Sequence, residues 1–177
     1  SLSWEADIWG KIRSTERASQ ANYLQSMAAH QAVKTYLISS ISTTYYQLLA
    51  LDQQLIITEQ TIGTREKSVE TIKALKEAGM VTQVAVDQNI AQLNNAKVLK
   101  VDIATAIFKT ENVLSILLGK TPQHIERGML ETQTIDTDMK WGVPATLLSN
   151  RPDVMAAEYQ LAQNFEMTNV ARSNFYP

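Results

Sequence analysis

Between Lys11 and Thr121 the chain has no proline and only three glycines, Gly63, Gly79 and Gly119. Proline removes a helix hydrogen bond and glycine adds to the entropy lost on ordering, so a stretch this poor in both is suited to uninterrupted helix. The apolar residues say what kind of helix. Ile41, Leu48, Leu55, Ile62 and Val69 recur every seventh residue, with Leu51 and Ile72 at the offset position, the spacing of a coiled-coil seam. A helix from about Lys11 to Lys76 would reach about 100 Å, several times the average globular helix, and predicts an elongated, mostly helical molecule.

Past Gly79 the pattern resumes at Val86, Ile90, Leu93, Ala96, Ile103, Ile107, Leu114 and Leu117, then stops at Gly119, a good C-terminal cap followed by Pro122. Folding the chain back near residue 80 sets Ile72 against the Val86 region, Val69 against Ile90, and Leu48 against the Leu114 region. The second helix is too short to cover the first. Ser14 to about Thr43 therefore project beyond it, and Met27, Val33, Leu37, Ile38 and Ile41 require cover from the final helix or from another subunit. From Ala18 to Thr58 only Lys34 and Asp52 are charged, which suits a helix buried among helices or lining a polar cavity. Glu66, Lys67, Glu70, Lys73, Lys76 and Glu77 crowd the end near the turn, where Glu70 with Lys73 and Lys73 with Glu77 are spaced to pair along the helix.

The turn itself, "AGMVTQ", flanks its glycine with alanine, methionine and valine instead of the polar residues that usually bond freed backbone groups. By its residues alone it reads as a plain interhelical turn with an unusually apolar surface. Lys120 to Asn150 breaks the helical pattern with Pro122, Gly128, Gly142 and Pro144, and "MLETQTI" there predicts one short strand. A last helix starts at "RPDV", with Pro152 at the first position and Asp153 at the positive end of the dipole, and Val154, Ala157, Leu161, Phe165 and Val170 as its apolar stripe. At the start of the chain, Leu2, Trp4, Ala6 and Ile8 alternate with Ser3, Glu5 and Asp7, the period of a strand.

The expected fold class is therefore all-α: a long, antiparallel, coiled-coil-like helical hairpin with a small mixed connector and a further helix. Residues 1–10 read as the end of a strand and its exit into helix, 11–118 as the hairpin with its tip near 77–83, 119–150 as the connector, and 151–177 as the start of the last helix.

Composition removes several functions. A net charge of -2 offers no basic surface for nucleic acid or for an anionic membrane. With no cysteine there is no thiol nucleophile, no Cys-ligated zinc and no disulfide. His30 and His124 stand in different segments without carboxylates at ligand spacing, so neither a metal nor a catalytic base is expected, and no cofactor. No nucleophile, base and orienting group fall at recognisable spacing for an enzyme. No apolar run reaches the ~18 residues of a membrane-spanning helix, and the N-terminus has no secretion signal.

Four stretches carry a family resemblance: "SWEADIWGKIR", "AGMVTQVAV", "LLGKTP" and "GVPATLLSNRPDVMAAEYQLAQNFEMTNVARSNFYP". They resemble the strand-to-helix exit, hairpin tip, helix end and second-repeat start of the TolC-like outer-membrane efflux channels of tripartite export pumps, in the OprM and NodT lipoprotein branch. The last stretch is the most specific, through Gly142, Pro144, Leu147, Leu148, Arg151, Pro152, Asp153, Ala157, Glu158, Ala171, Arg172 and Pro177.

The resemblance implies a periplasmic segment of one structural repeat of a longer protein, in which three subunits close a β-barrel above an α-helical tunnel. It implies a passive conduit in the outer membrane of a Gram-negative bacterium, touching lipid through a barrel this segment lacks. A missing signal or lipid-bearing cysteine then says nothing about localisation. Leu2, Trp4, Ala6 and Ile8 would face lipid, Ser3, Glu5 and Asp7 the lumen, and Trp4 and Trp9 the membrane interface. The implied partners are a periplasmic adaptor (membrane fusion) protein, an inner-membrane pump indirectly, and two further copies in a homotrimer. Ala78, Gly79, Met80, Val81 and Thr82 would form the tip that receives the adaptor. One departure is Ala85, where the family usually has an acid that would complete a capping box with Thr82, with Asp87 nearby as a partial substitute. The heptads alone would fit a cytoplasmic coiled-coil scaffold or tether equally well; only the two ends of the chain argue against it.

Overall fold

The computed structural model describes residues 6–134 and 149–176. They form three α-helices, α1 (Lys11–Glu77), α2 (Gln83–Leu117) and α3 (Pro152–Ser173), and a 3-10 turn at Leu130–Thr132. No strand occurs among the described residues. The fold is all-α, with the long α1 packing against the two other helices, and it falls into two compact units: Ser1–Ile38 with Thr137–Pro177, and Ser39–Asp136.

In the unit Ser39–Asp136, the later part of α1 packs antiparallel on α2 along the seam that the heptads mark. Leu48, Val69, Val86, Ala96, Ile103 and Leu114 are buried, and Leu55, Ile62, Ile90, Leu93, Ile107 and Leu117 are half-buried. Polar pairs across the seam fix the same register: Lys97 Nζ lies 2.9 Å from Glu66 Oε1, Lys100 Nζ lies 2.8 Å from Glu59 Oε1, and Arg65 bonds Gln92. The pairing expected along the helix is not made, since Glu70, Lys73 and Glu77 form no ion pair among the described residues. Exposed pairs of this kind gain little over hydration.

The buried hydroxyls enter the seam without orphaned groups because they bond within their own helix. The buried Thr58 hydroxyl donates to the Gln54 carbonyl at 2.8 Å, and the Ser115 hydroxyl donates to the Glu111 carbonyl at 2.9 Å. Gly119, at φ 67°, ends α2: its amide donates to the Ile116 carbonyl and that of Lys120 to the Ser115 carbonyl, both at 2.9 Å, a Schellman motif.

In the other unit the first part of α1 packs antiparallel on α3. Ala18, Ala21 and Ala28 are buried on α1, flanked by half-buried Ser14, Gln25 and Ala32, so the contact face keeps heptad spacing but is built of small residues. Here α3 departs from expectation. Its inward face is Ala156, Tyr159, Gln163, Glu166, Val170 and Ser173, while Leu161 and Phe165 of the predicted stripe are 71% and 61% exposed. An alanine face admits small and polar neighbours, so the partner decides which side of α3 turns in. Met27, Val33, Leu37 and Ile38 stay exposed beside this contact, and Ile41 is half-buried.

The strand predicted at "MLETQTI" is instead the 3-10 turn, as far as the described residues extend. The Thr132 amide and hydroxyl both donate to the Met129 carbonyl, at 3.2 and 2.8 Å, and with no strand beside it among the described residues the local turn takes those bonds. Most of the N-terminal alternation lies outside the described residues. Within them it does not continue as strand: the Ile8 amide donates to the Ala6 carbonyl at 2.9 Å and the chain bends into α1.

Candidate functional site: the hairpin tip and the connector clamp

At the tip, α1 ends in a second Schellman motif. Gly79 has φ 75°; its amide donates to the Lys76 carbonyl and the Met80 amide to the Leu75 carbonyl, both at 2.9 Å. A Cβ at Gly79 would meet nothing within 4 Å, so the positive φ, not crowding, is what calls for glycine there. The turn leaves an apolar surface in water: Met80 is 73% and Val84 62% exposed, with Ala78 and Thr82 exposed and Val81 half-buried.

Thr82 occupies the N-cap position of α2 with extended backbone, φ -84° and ψ 161°, but its side chain makes no capping bond. The expected role of Thr82 as a side-chain cap is thus not observed. The Ala85 amide finds the Thr82 carbonyl at 3.2 Å, and Asp87 is engaged by the Gln83 side-chain amide at 2.8 Å. With Ala85 three residues on, the reciprocal half of a capping box, a carboxylate bonded to the Thr82 amide, has no side chain to make it.

At the far end of the same unit, the connector is clamped to the hairpin by Arg127. Its guanidinium forks onto Asp52 of α1, with Nη2 to Oδ1 at 2.8 Å and Nε to Oδ2, while Nη1 reaches Glu111 of α2 and the Ile125 carbonyl at 3.0 Å. His124 Nδ1 lies 2.8 Å from Glu111 Oε1, and Gln53 Nε2 donates to Glu131 at 3.2 Å. Hydrogen bonding to Asp52 outweighs desolvation and, with Glu111, holds the Arg127 guanidinium above its ordinary pKa. This is a structural clamp, not reactive chemistry: the cation is saturated by carboxylates, and no three candidate ligands gather for a metal among the described residues.

The sequence signal for the clamp was Asp52, one of two charges in a charge-poor stretch. Its partner lies 75 residues away, a distance no helical spacing encodes. His124 joins the clamp through Glu111, and His30 is exposed.

The ends of the chain carry the remaining candidates. Trp9 stacks on Tyr176 with ring centroids 4.6 Å apart, and Trp4 lies outside the described residues. Asp7 accepts from the Ile12 and Arg13 amides at 3.0 and 3.1 Å and from Arg13 Nε at 3.1 Å. Desolvation raises the Asp7 pKa, but the two amides and the guanidinium together hold it below the usual carboxylate value. Arg151 forks onto Asp153 at 3.1 and 2.6 Å at the start of α3, where Pro152 takes the first turn as expected. That hydrogen bonding lowers the Asp153 pKa and raises that of Arg151.

No described helix is long and apolar enough to cross a membrane, a statement that leaves β-strands aside. Residues 1–120 match the outer membrane efflux protein family. The chain belongs to that family. Among its relatives are the toluene efflux pump outer membrane protein TtgF of Pseudomonas putida, 29% identical over 178 residues, and the pyoverdine export outer membrane protein OpmQ of the same species, 32% identical over 184. Each alignment takes in 100% of this chain but only 37% of TtgF and 38% of OpmQ. The outer-membrane channel OprN shares the fold, with a TM-score of 0.90 at 24% identity over 98% of this chain and 39% of that one. Membership of the outer membrane efflux protein family assigns the chain to the outer membrane of Gram-negative bacteria. It also sets aside the scaffold reading and any enzymatic one.

Proposed function

We propose that this chain is a periplasmic tunnel segment of an outer-membrane efflux channel, a passive conduit that works as a trimer and receives a periplasmic adaptor at Ala78–Thr82. The observation that carries the docking role is the tip itself: an apolar surface, led by Met80, held in water by a left-handed glycine. Helical hairpins dock by inserting apolar anchors between facing helices, and a tip of this make offers such anchors with the Thr82 hydroxyl as the one polar side chain among Ala78–Thr82. The inner-membrane pump supplies the energy and acts on this chain indirectly. In this reading Trp9 sits at the membrane interface, where amphipathic rings are favoured.

The test compares Gly79→Asp with Gly79→Asn in the assembled channel. Both carry a side chain at positive φ, at a strain of roughly 1 kcal/mol that Asn and Asp tolerate better than other residues, but only Asp adds charge. Gly79→Asp should lose export and adaptor crosslinking while circular dichroism shows full helix content, and Gly79→Asn should keep most of both. Normal export by a well-folded Gly79→Asp channel would make the tip a plain turn.

A further inference from the structure

We infer that Met80 is a site of reversible oxidation, and that its sulfoxide releases the hairpin tip from the adaptor. The inference rests on the docking role proposed for Ala78–Thr82 and adds its regulation. The chain has no cysteine and six methionines, so thioethers are its only sulfur. Oxidation of a thioether follows access, and Met80 is 73% exposed, ahead of Met129 at 68%, Met27 at 53% and Met167 at 50%. What sets Met80 apart from these is its place. Its amide donates to the Leu75 carbonyl at 2.9 Å in the Schellman motif that closes α1, so the backbone fixes the residue and the turn does not depend on its side chain. Val84, in the first turn of α2, is exposed as well, and the Thr82 hydroxyl is the one polar side chain among Ala78–Thr82. A sulfoxide at Met80 therefore makes the main apolar anchor of the tip polar and leaves the hairpin as it was.

The oxidant is hypochlorous acid. The sulfur lone pair takes chlorine as the O–Cl bond breaks, giving a chlorosulfonium ion and hydroxide. A water oxygen then bonds to sulfur as the S–Cl bond breaks, and chloride and two protons leave, one of which neutralises the hydroxide. In the balance, thioether and hypochlorous acid give sulfoxide, chloride and one proton; sulfur loses two electrons and chlorine gains them. The sulfoxide oxygen is a strong acceptor that water satisfies in the free tip. Docking between apolar helix faces strips that water without replacing it, a cost the thioether does not carry. Methionine sulfoxide reductases, one for each sulfoxide epimer, restore the thioether, which makes the change reversible.

The test treats the assembled channel with hypochlorous acid, quenches the excess with free methionine, and then adds the adaptor used for the Gly79→Asp crosslinking. Mass spectrometry should find one added oxygen atom on the Met80 peptide, and crosslinking should fall about tenfold. Both sulfoxide reductases together should restore it. Met80→Leu should crosslink as the unsubstituted channel does and keep doing so after treatment, although Met129 is oxidised in both and serves as the internal control. Met80→Gln, polar without any oxidant, should dock about tenfold more weakly at full helix content. Undiminished crosslinking by a channel carrying the Met80 sulfoxide, full docking by Met80→Gln, or an equal loss on treatment of Met80→Leu would each overturn the inference. Any of these beside a Gly79→Asp channel that fails to dock leaves the docking reading intact, whereas normal docking by Gly79→Asp removes both.

Discussion

Asp7 shows how one side chain can serve a pattern and still be misread. In the sequence it is a polar member of an alternating run; in the structure its carboxylate gathers the Ile12 and Arg13 amides at the start of α1. The residue types that suit the polar face of a strand are those that suit a helix N-terminus, and only the hydrogen-bond partners separate the uses. The linkage has a definite sign. A carboxylate whose folded pKa is depressed contributes stability above its unfolded pKa of ~3.9 and loses that contribution as pH falls through the lower, folded value. Asp7→Asn should therefore speed amide exchange at Ile12 and Arg13 at neutral pH, and the difference from the unsubstituted chain should vanish in strong acid. Equal exchange in the two proteins at neutral pH would mean that the first turn is held by something else. Thr82 gives the converse lesson, because a residue of good capping type in the capping position makes no cap bond.

At the scale of elements, what could be read was what repeats. The seam of α1 and α2 follows a seven-residue period with few breaks, such as Lys100 between Leu93 and Ile107, so most of its members and its antiparallel register followed from spacing. The apolar stripe of α3 held at its two ends, Val154 and Val170, and failed between them at Ala157, Leu161 and Phe165, because periodicity marks an apolar face without saying which neighbour meets it. The Arg127 clamp was illegible for a different reason: it joins an isolated acid on α1, one on α2 and a connector with no period. Removing one partner of such a cluster leaves buried charge uncompensated, which typically costs ~3–5 kcal/mol when burial is complete. Asp52 keeps 31% of its side-chain exposure, so Arg127→Met should cost less, about 2 kcal/mol. Arg127→Lys should recover only part of this, because an ammonium cannot fork onto Asp52 while holding Glu111. Thermal unfolding of both variants decides it, and a full rescue by lysine would show that charge alone, without the planar fork, secures the connector.

On the scale of the whole molecule, the decisive feature is how much apolar surface the chain leaves in contact with water. Leu161 and Phe165 on α3, and Val101 and Phe108 seven residues apart on the outer side of α2, are all exposed by more than three-fifths of their surface. Among the described residues, neither pair belongs to the helix-to-helix contact that its helix makes. Single exposed apolar residues are ordinary, but apolar residues repeated at helical spacing form a stripe that a further helix can cover. The α2 pair keeps heptad spacing, so a second seam is already laid out beside the first. The whole 177-residue chain should accordingly self-associate, with a sedimentation coefficient that rises with concentration across the micromolar range. Replacing Leu161 and Phe165 together with glutamine, or Val101 and Phe108 together, should weaken that association without loss of helix content, since none of the four supports the seam or the alanine contact. If one pair matters and the other does not, the sensitive helix carries the interface between copies. A chain that sediments as a monomer at every concentration would show that these stripes are stable in water, and that the tunnel wall proposed above would draw its cohesion from elsewhere.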